Sequence, residues 1–218
     1  HTLEHINLPL KFLDLLKKIF SKNSSIFIEV PQFNWIKQNK VLFDFTYEHV
    51  NYFTTKSLCA FFSKTEAYGN FFNDQYQYCI AKLDNLENKN IKKYEIKKNW
   101  KEFDFNIYLN SFKKNVSNFI NFSNIWIWGG STKGVLFLKH LADLEPKLYK
   151  NVRAVIDINK KKQNFFTPST NVKIYPPKKL FNDLKKNDLI IVMNPNYIPE
   201  VKQMIFKNTK KKIIVTSV

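Results

Sequence analysis

The strongest constraint on this chain lies in its C-terminal half, where short apolar β-branched runs alternate with segments of helical periodicity. Residues 125–128 (IWIW), 152–157 (VRAVID), 172–175 (VKIY), 189–193 (LIIVM) and 212–216 (KIIVT) read as strands. Residues 135–142, 180–185 and 198–206 read as helices between them. Two parallel strands need a crossover of a dozen or more residues, usually a helix. The alternation therefore predicts an α/β unit with a parallel, Rossmann-like sheet.

The first of these strands runs into the loop Gly129-Gly130-Ser131-Thr132-Lys133-Gly134, which opens a helix. Backbone N–H groups at a helix N-terminus, together with the helix dipole, make such a loop a phosphate site, and Lys133 adds a positive charge. A dinucleotide fingerprint asks for glycine where Ser131 stands, while Asp157, at the end of the next strand, occupies the place of a ribose-binding acid. The alternative is a glycine turn that packs helix on strand. A nicotinamide-dependent dehydrogenase is a competing reading of the same residues.

The earlier half is less regular. Residues 8–19 carry apolar positions at helical spacing, with Asn7 before Pro9 as cap and first turn. Residues 25–30 (SIFIEV) read as a buried strand closed by Pro31, and 33–53 as an aromatic, irregular stretch. Residues 55–62 read as a helix and 69–83 as a pair of strands or a long hairpin arm. From 84 to 121 the chain turns to Lys, Asn and Glu, with Ile107, Phe112, Val116, Phe119 and Ile120 marking one face of an amphipathic helix. This divides the chain into residues 1–88, a helical linker at 89–121 and a second α/β domain at 122–218.

Composition narrows the function classes. The 35 Lys and Arg against 18 Asp and Glu give a net charge of +17 over 218 residues, which raises the question of a polyanionic partner. Arg153 is the only arginine, however, and arginine is the preferred residue for bidentate phosphate and base contacts. Neither nucleic acid nor a membrane is expected as a partner, whereas anionic small substrates remain compatible. Cys59 and Cys79 have no metal-ligand spacing, and no apolar run approaches the ~20 residues of a bilayer span. A reducing, cytoplasmic setting fits two cysteines without a disulfide framework. The chain begins at His1 directly on a helical pattern, and reads as a piece of something longer.

One loop gathers acid/base chemistry. Residues 44–53 (DFTYEHVNYF) place carboxylates, an imidazole and two phenols close together. Histidine titrates near working pH, and a neighbouring carboxylate orients or charges it. A structural Glu–His pair is the alternative, since no third group is visible by spacing. His1 and His5 are a conceivable metal pair on one helical face, but further ligands are not apparent and no metal is assigned.

Taken together, three segments resemble the S-adenosylmethionine-dependent sugar C-methyltransferases. HTLEHINLPLKFL (1–13) is similar to the stretch after the fourth strand of a class I methyltransferase domain, in that family approximately R-H-x-L-E-H-I-x-x-P. IEVPQFNW (28–35) and DFTYEHVNYFTTKSL (44–58) resemble its fifth strand and active-site loop. WGGSTKG (128–134), VIDINKKKQNFFTPST (155–170) and DLIIVMNPNYIPEV (188–201) resemble its C-terminal Rossmann-like domain.

The resemblance implies that His49, assisted by Glu48, is the base that deprotonates the carbon beside a sugar ketone, with Tyr47 or Tyr52 on the sugar or enolate oxygen. The tyrosine that the family usually carries just before the Glu–His pair matches Thr46. Gly129, Ser131, Lys133, Gly134, Asn194 and Tyr197 would hold a nucleotide-diphosphate sugar. Leu3, Glu4 and His5 would be what this chain contributes beside S-adenosylmethionine. The family's glycine loop for that cofactor, and its zinc-binding cysteine cluster, would belong to a preceding segment. The chain alone is accordingly expected to bind the cofactor weakly and to be inactive. A non-catalytic nucleotide-sugar-binding module is the alternative. Which sugar, which nucleotide and which oligomeric state stay open.

Overall fold

A computed structural model of the chain describes residues 1–87 and 104–218. It is α/β and divides into two compact units, one of residues 1–40 and 47–105, the other of residues 41–46 and 106–218.

In the first unit, helix α1 (Pro9–Ile19) leads to strand β1 (Ser25–Pro31), helix α2 (Phe33–Asn39) and helix α3 (Thr55–Cys59), followed by strands β2 (Ala67–Phe71) and β3 (Tyr76–Lys82). The strands form an antiparallel sheet in the order β1-β3-β2, with Ile28 opposite Cys79 and Tyr68 opposite the same residue on the other side. Period-two alternation sends Gln77, Cys79 and Ala81 inward. Cys79 and Ala81 join a core of Leu3, Leu13, Ile28, Val30, Phe53, Leu58 and Phe62. Each fully buried aliphatic or aromatic side chain there contributes roughly 1.5–3 kcal/mol.

Two buried glutamines have their amides satisfied within this core. Gln32 Nε2 donates to Gln77 Oε1 at 3.1 Å and to Thr55 Oγ1 at 2.9 Å, and Gln77 Nε2 donates to the Phe53 carbonyl at 2.6 Å. Phe33 N donates to the same carbonyl at 2.9 Å, so the end of the 44–53 loop is fixed by main-chain contacts.

In the second unit, helix α4 (Asn106–Ser117) precedes strand β4 (Ile125–Trp128), helices α5 (Thr132–Leu144) and α6 (Pro146–Tyr149), and strands β5 (Val152–Ile156) and β6 (Ile174–Tyr175). Helix α7 (Pro177–Asp183), strand β7 (Leu189–Val192), helix α8 (Ile198–Thr209) and strand β8 (Ile214–Thr216) follow. Among the described residues the five strands are all parallel, in the order β6-β5-β4-β7-β8. All four residues of β4 and of β7 are buried, which is why both strands appear in the sequence as uninterrupted apolar runs. Helix α5 contributes Phe137, Leu138 and Leu141 to the interior, and Phe43 and Phe112 pack on the Phe137 ring at 5.8 and 5.6 Å between centroids.

The lower end of this sheet is organised by Asp188, 2% exposed. Its carboxylate accepts from Trp126 Nε1 at 2.9 Å, Asn124 Nδ2 at 2.9 Å and Lys185 N at 3.1 Å. A buried carboxylate is tolerated where several donors replace its water.

Several expected boundaries shift. The 33–53 stretch is not wholly irregular: it contains α2 and a 3-10 turn, Leu42–Asp44. The Gln32 side chain caps α2 through Asn34 N, and left-handed Lys40 ends it. The cap of α1 is Leu8, without a side-chain bond, rather than Asn7. Helix α3 stops at Cys59 instead of residue 62, and β6 is two residues long. On α4 the buried positions are Tyr108, Phe112 and Val116, while Ile107 is exposed, as is Ile120 beyond the end of the helix. The first part of the expected 89–121 linker, residues 89–103, lies outside the described residues. No helix among the described residues is long and apolar enough to cross a membrane.

Candidate functional site

The Glu–His loop of the first unit is fastened to the N-terminal 3-10 turn, Leu3–His5, by three hydrogen bonds. Asn51 N donates to the Glu4 carbonyl at 3.1 Å, and Asn51 Nδ2 donates to the Ile6 carbonyl at 2.7 Å. His5 Nδ1 lies 2.8 Å from the Glu48 carbonyl oxygen. A carbonyl only accepts, so Nδ1 carries the proton and Nε2 is the ring atom directed elsewhere. The His5 and His49 rings meet edge-on with centroids 4.9 Å apart, and the Tyr52 ring lies 6.0 Å from His49 on another side.

Glu4 is the buried carboxylate of this group, its side chain only 2% exposed. Its Oε1 lies 3.3 Å from His1 Nδ1 and 3.9 Å from His5 Nε2, and its Oε2 has no hydrogen-bond partner among the described residues. His1 in turn sets its Nε2 2.8 Å from Glu29 Oε1.

The structure thus brings His49, Tyr52 and the Glu48 main chain together with Glu4 and His5. Tyr47 is 88% exposed and points away from the core. Sequence reasoning put Glu4 and His5 beside a cofactor and gave them no part in the surroundings of His49. The pairing joins positions 43 residues apart, and no local spacing encodes it.

Leu3 and Glu4 are buried and only His5 of the three is exposed. The three residues form one short 3-10 turn.

A second constellation stands at the C-terminal edge of the parallel sheet. The strand order places β5 on one side of β4 and β7 on the other, so the crevice between the ends of β4 and β7 is a topological switch point, where open α/β sheets bind ligands. Gly129, Ser131, Lys133 and Gly134 follow β4, and Asn194 and Tyr197 follow β7. Met193 N donates to the Trp128 carbonyl at 3.0 Å across that crevice.

Two glycines make the turn. Gly129 has φ +115°, which side-chain-bearing residues rarely adopt, and a Cβ on Gly134 would lie 2.0 Å from the Gly129 carbonyl oxygen. Both glycines are therefore required by the backbone of the turn and by its close packing on α5.

Several charges of this loop already have protein partners. Gly130 N donates to Asp157 Oδ2 at 2.8 Å, and Asn159 N donates to Asp157 Oδ1 at 2.8 Å. Lys162 Nζ meets Ser131 Oγ. Lys133 Nζ pairs with Asp44 Oδ1 at 2.7 Å. Asp157 is committed through both oxygens to backbone N–H groups of this region, which counts against its use as a ribose-binding acid in a dehydrogenase.

A family profile described as the C-methyltransferase C-terminal domain matches residues 80–216. The chain belongs to this family. A methyltransferase role follows for the C-methyltransferase chain, and the switch-point loop, with Asn194 and Tyr197, falls inside the matched region. The loop of Glu48 and His49 precedes it in sequence. No curated protein matches the chain.

Proposed function

We propose that the chain is the acceptor-side, C-terminal portion of an S-adenosylmethionine-dependent C-methyltransferase whose substrate is a nucleotide-activated keto-sugar in the cytoplasm. The observation that carries this reading is the fastening of the His49 loop onto the Leu3–His5 turn, which holds an imidazole beside a second imidazole and a buried carboxylate. The family match supports carbon methylation as the reaction class.

In this reading His49 takes the proton from the carbon next to the ketone, and the C–H electron pair moves into the enolate. Tyr52, whose ring lies 6.0 Å from that of His49, is assigned as the phenol that donates to the enolate oxygen. Glu48 contributes through its carbonyl, which orients His5. S-adenosylmethionine, when bound, supplies an electrophilic methyl group. The nucleotide diphosphate is assigned to the β4–β7 crevice, with Lys133, Asn194 and Tyr197 at its rim.

Proton abstraction can be read without the methyl donor. The chain, incubated in D2O with nucleoside-diphosphate keto-sugars, should exchange the hydrogen next to the ketone, followed by proton NMR. His49→Gln should slow exchange by roughly 10²-fold or more, and Glu48→Gln by much less. Substrate binding without exchange would favour a non-catalytic nucleotide-sugar-binding module.

A further inference from the structure

We propose that Glu4, His5 and His49 form a binding site for one divalent cation of the zinc class. Each residue offers one ligand atom, and the three atoms lie within 4.8 Å of one another. Zinc bound at about 2.1 Å requires its ligands roughly 3.4 Å apart, so the site must contract by about an ångström or more. Glu4 is buried, whereas His5 is exposed and His49 half-buried, so the two rings are the parts that must make the adjustment.

Three independent features favour a cation at this point. The first is electrostatic: Glu4 Oε2 is buried with no donor among the described residues, although an unsatisfied carboxylate oxygen is costly. The second is the orientation of His5. Its Nδ1–H is held by the Glu48 carbonyl, the arrangement in which a ligating histidine turns its other nitrogen toward a metal. That nitrogen stands 3.9 Å from Glu4 Oε1, too far for a direct hydrogen bond and suited to a shared cation. The third is the donor set. Two imidazoles and a carboxylate suit Zn2+, Co2+ or Ni2+, whereas Mg2+ and Ca2+ prefer all-oxygen sites.

His1 is not a ligand in this arrangement, because its two ring nitrogens face Glu4 and Glu29. Three protein ligands leave a fourth position open to water or to a substrate oxygen. The site does not depend on the methyl-transfer reading. If that reading holds, a metal and a proton compete for the same imidazole, and metal occupancy silences His49 as a base.

The test is a Co2+ titration of the whole chain, read by visible ligand-field absorption and by the imidazole NMR signals. With four histidines in the chain, the ring signals are few enough to assign individually. One equivalent should bind, with an intensified four-coordinate band and paramagnetic shifts largest at His5 and His49. Glu4→Gln, His5→Gln and His49→Gln should each weaken binding by more than about tenfold. His1→Ala and His140→Gln should leave it unchanged. The proposal is overturned if the largest shifts fall on His1 or His140, if His1→Ala removes binding, if His49→Gln binds as well as the parent, or if no band develops. Should a variant fail to fold, the pattern of shifts in the unaltered chain decides alone.

Discussion

Lys133 Nζ lies 2.7 Å from Asp44 Oδ1 and 3.0 Å from Oδ2, joining the first turn of α5 to the 3-10 turn of residues 42–44. Asp44 is 9% exposed and Lys133 25%, so the pair is only partly screened by water. The lysine proposed above for the substrate diphosphate is thus already paired with a carboxylate. A phosphate entering the crevice must either share Lys133 with Asp44 or displace it.

Asp44→Asn separates these roles. It leaves a partly buried ammonium without this carboxylate, and should lower stability by about 1–3 kcal/mol in urea unfolding. The same change should strengthen binding of inorganic pyrophosphate, measured by calorimetry. Stability lost with no gain in anion affinity would assign Lys133 to structure alone.

Gly134→Ala should be among the most damaging single-methyl changes in the second unit. The new Cβ would sit 2.0 Å from the Gly129 carbonyl oxygen, and that contact is backbone, so no side-chain rotation relieves it. A loss of at least about 3 kcal/mol is expected in denaturant unfolding, the range of severe backbone strain and overpacking. A loss below about 1 kcal/mol would show that α5 moves off the loop at low cost.

Burial holds the His140 imidazole below its usual range, with Lys139 lowering it further and Asp143 opposing. Its ring lies 6.0 Å from that of Phe112. The folded state thus disfavours the protonated form, and the unfolded chain binds the proton first as the solution is acidified. The stabilising contribution is complete above about pH 6.5 and is lost as the pH falls from there through the folded value. His140→Gln should flatten the acid limb of a plot of unfolding midpoint against pH between about 7 and 5. An unchanged limb would place the titration elsewhere.

The parallel sheet was legible because β4 and β7 are buried on both faces and so appear as the apolar runs IWIW and LIIV. The glycine loop was legible for a related reason: only glycine satisfies φ +115° at position 129 and the close approach at 134. Helix α2 was obscured because its sequence, FNWIKQN, is aromatic and short, and its start depends on a Gln32 side chain that propensity does not weight. The β6 strand was overdrawn because Lys173 instead bridges Phe166 in the preceding loop.

At the candidate site, His49 and Glu48 were visible as a pair, but their surroundings were not. Contact of His5 with Glu48 and His49 arises from hydrogen bonds through Asn51, whose role is a property of the folded loop. Asp44 lay in the same aromatic run, but nothing in its spacing from Lys133, 89 residues on, links the two.

Asp188 gives the second unit an asymmetry with a consequence for how it tolerates change. Its three donors come from Asn124, Trp126 and Lys185, all at the end of the sheet opposite the glycine loop. The anchoring of β4 to β7 and the chemistry of their far ends therefore draw on separate sets of residues. Substitutions in the loops that follow β4 and β7 leave the Asp188 clamp beneath them intact.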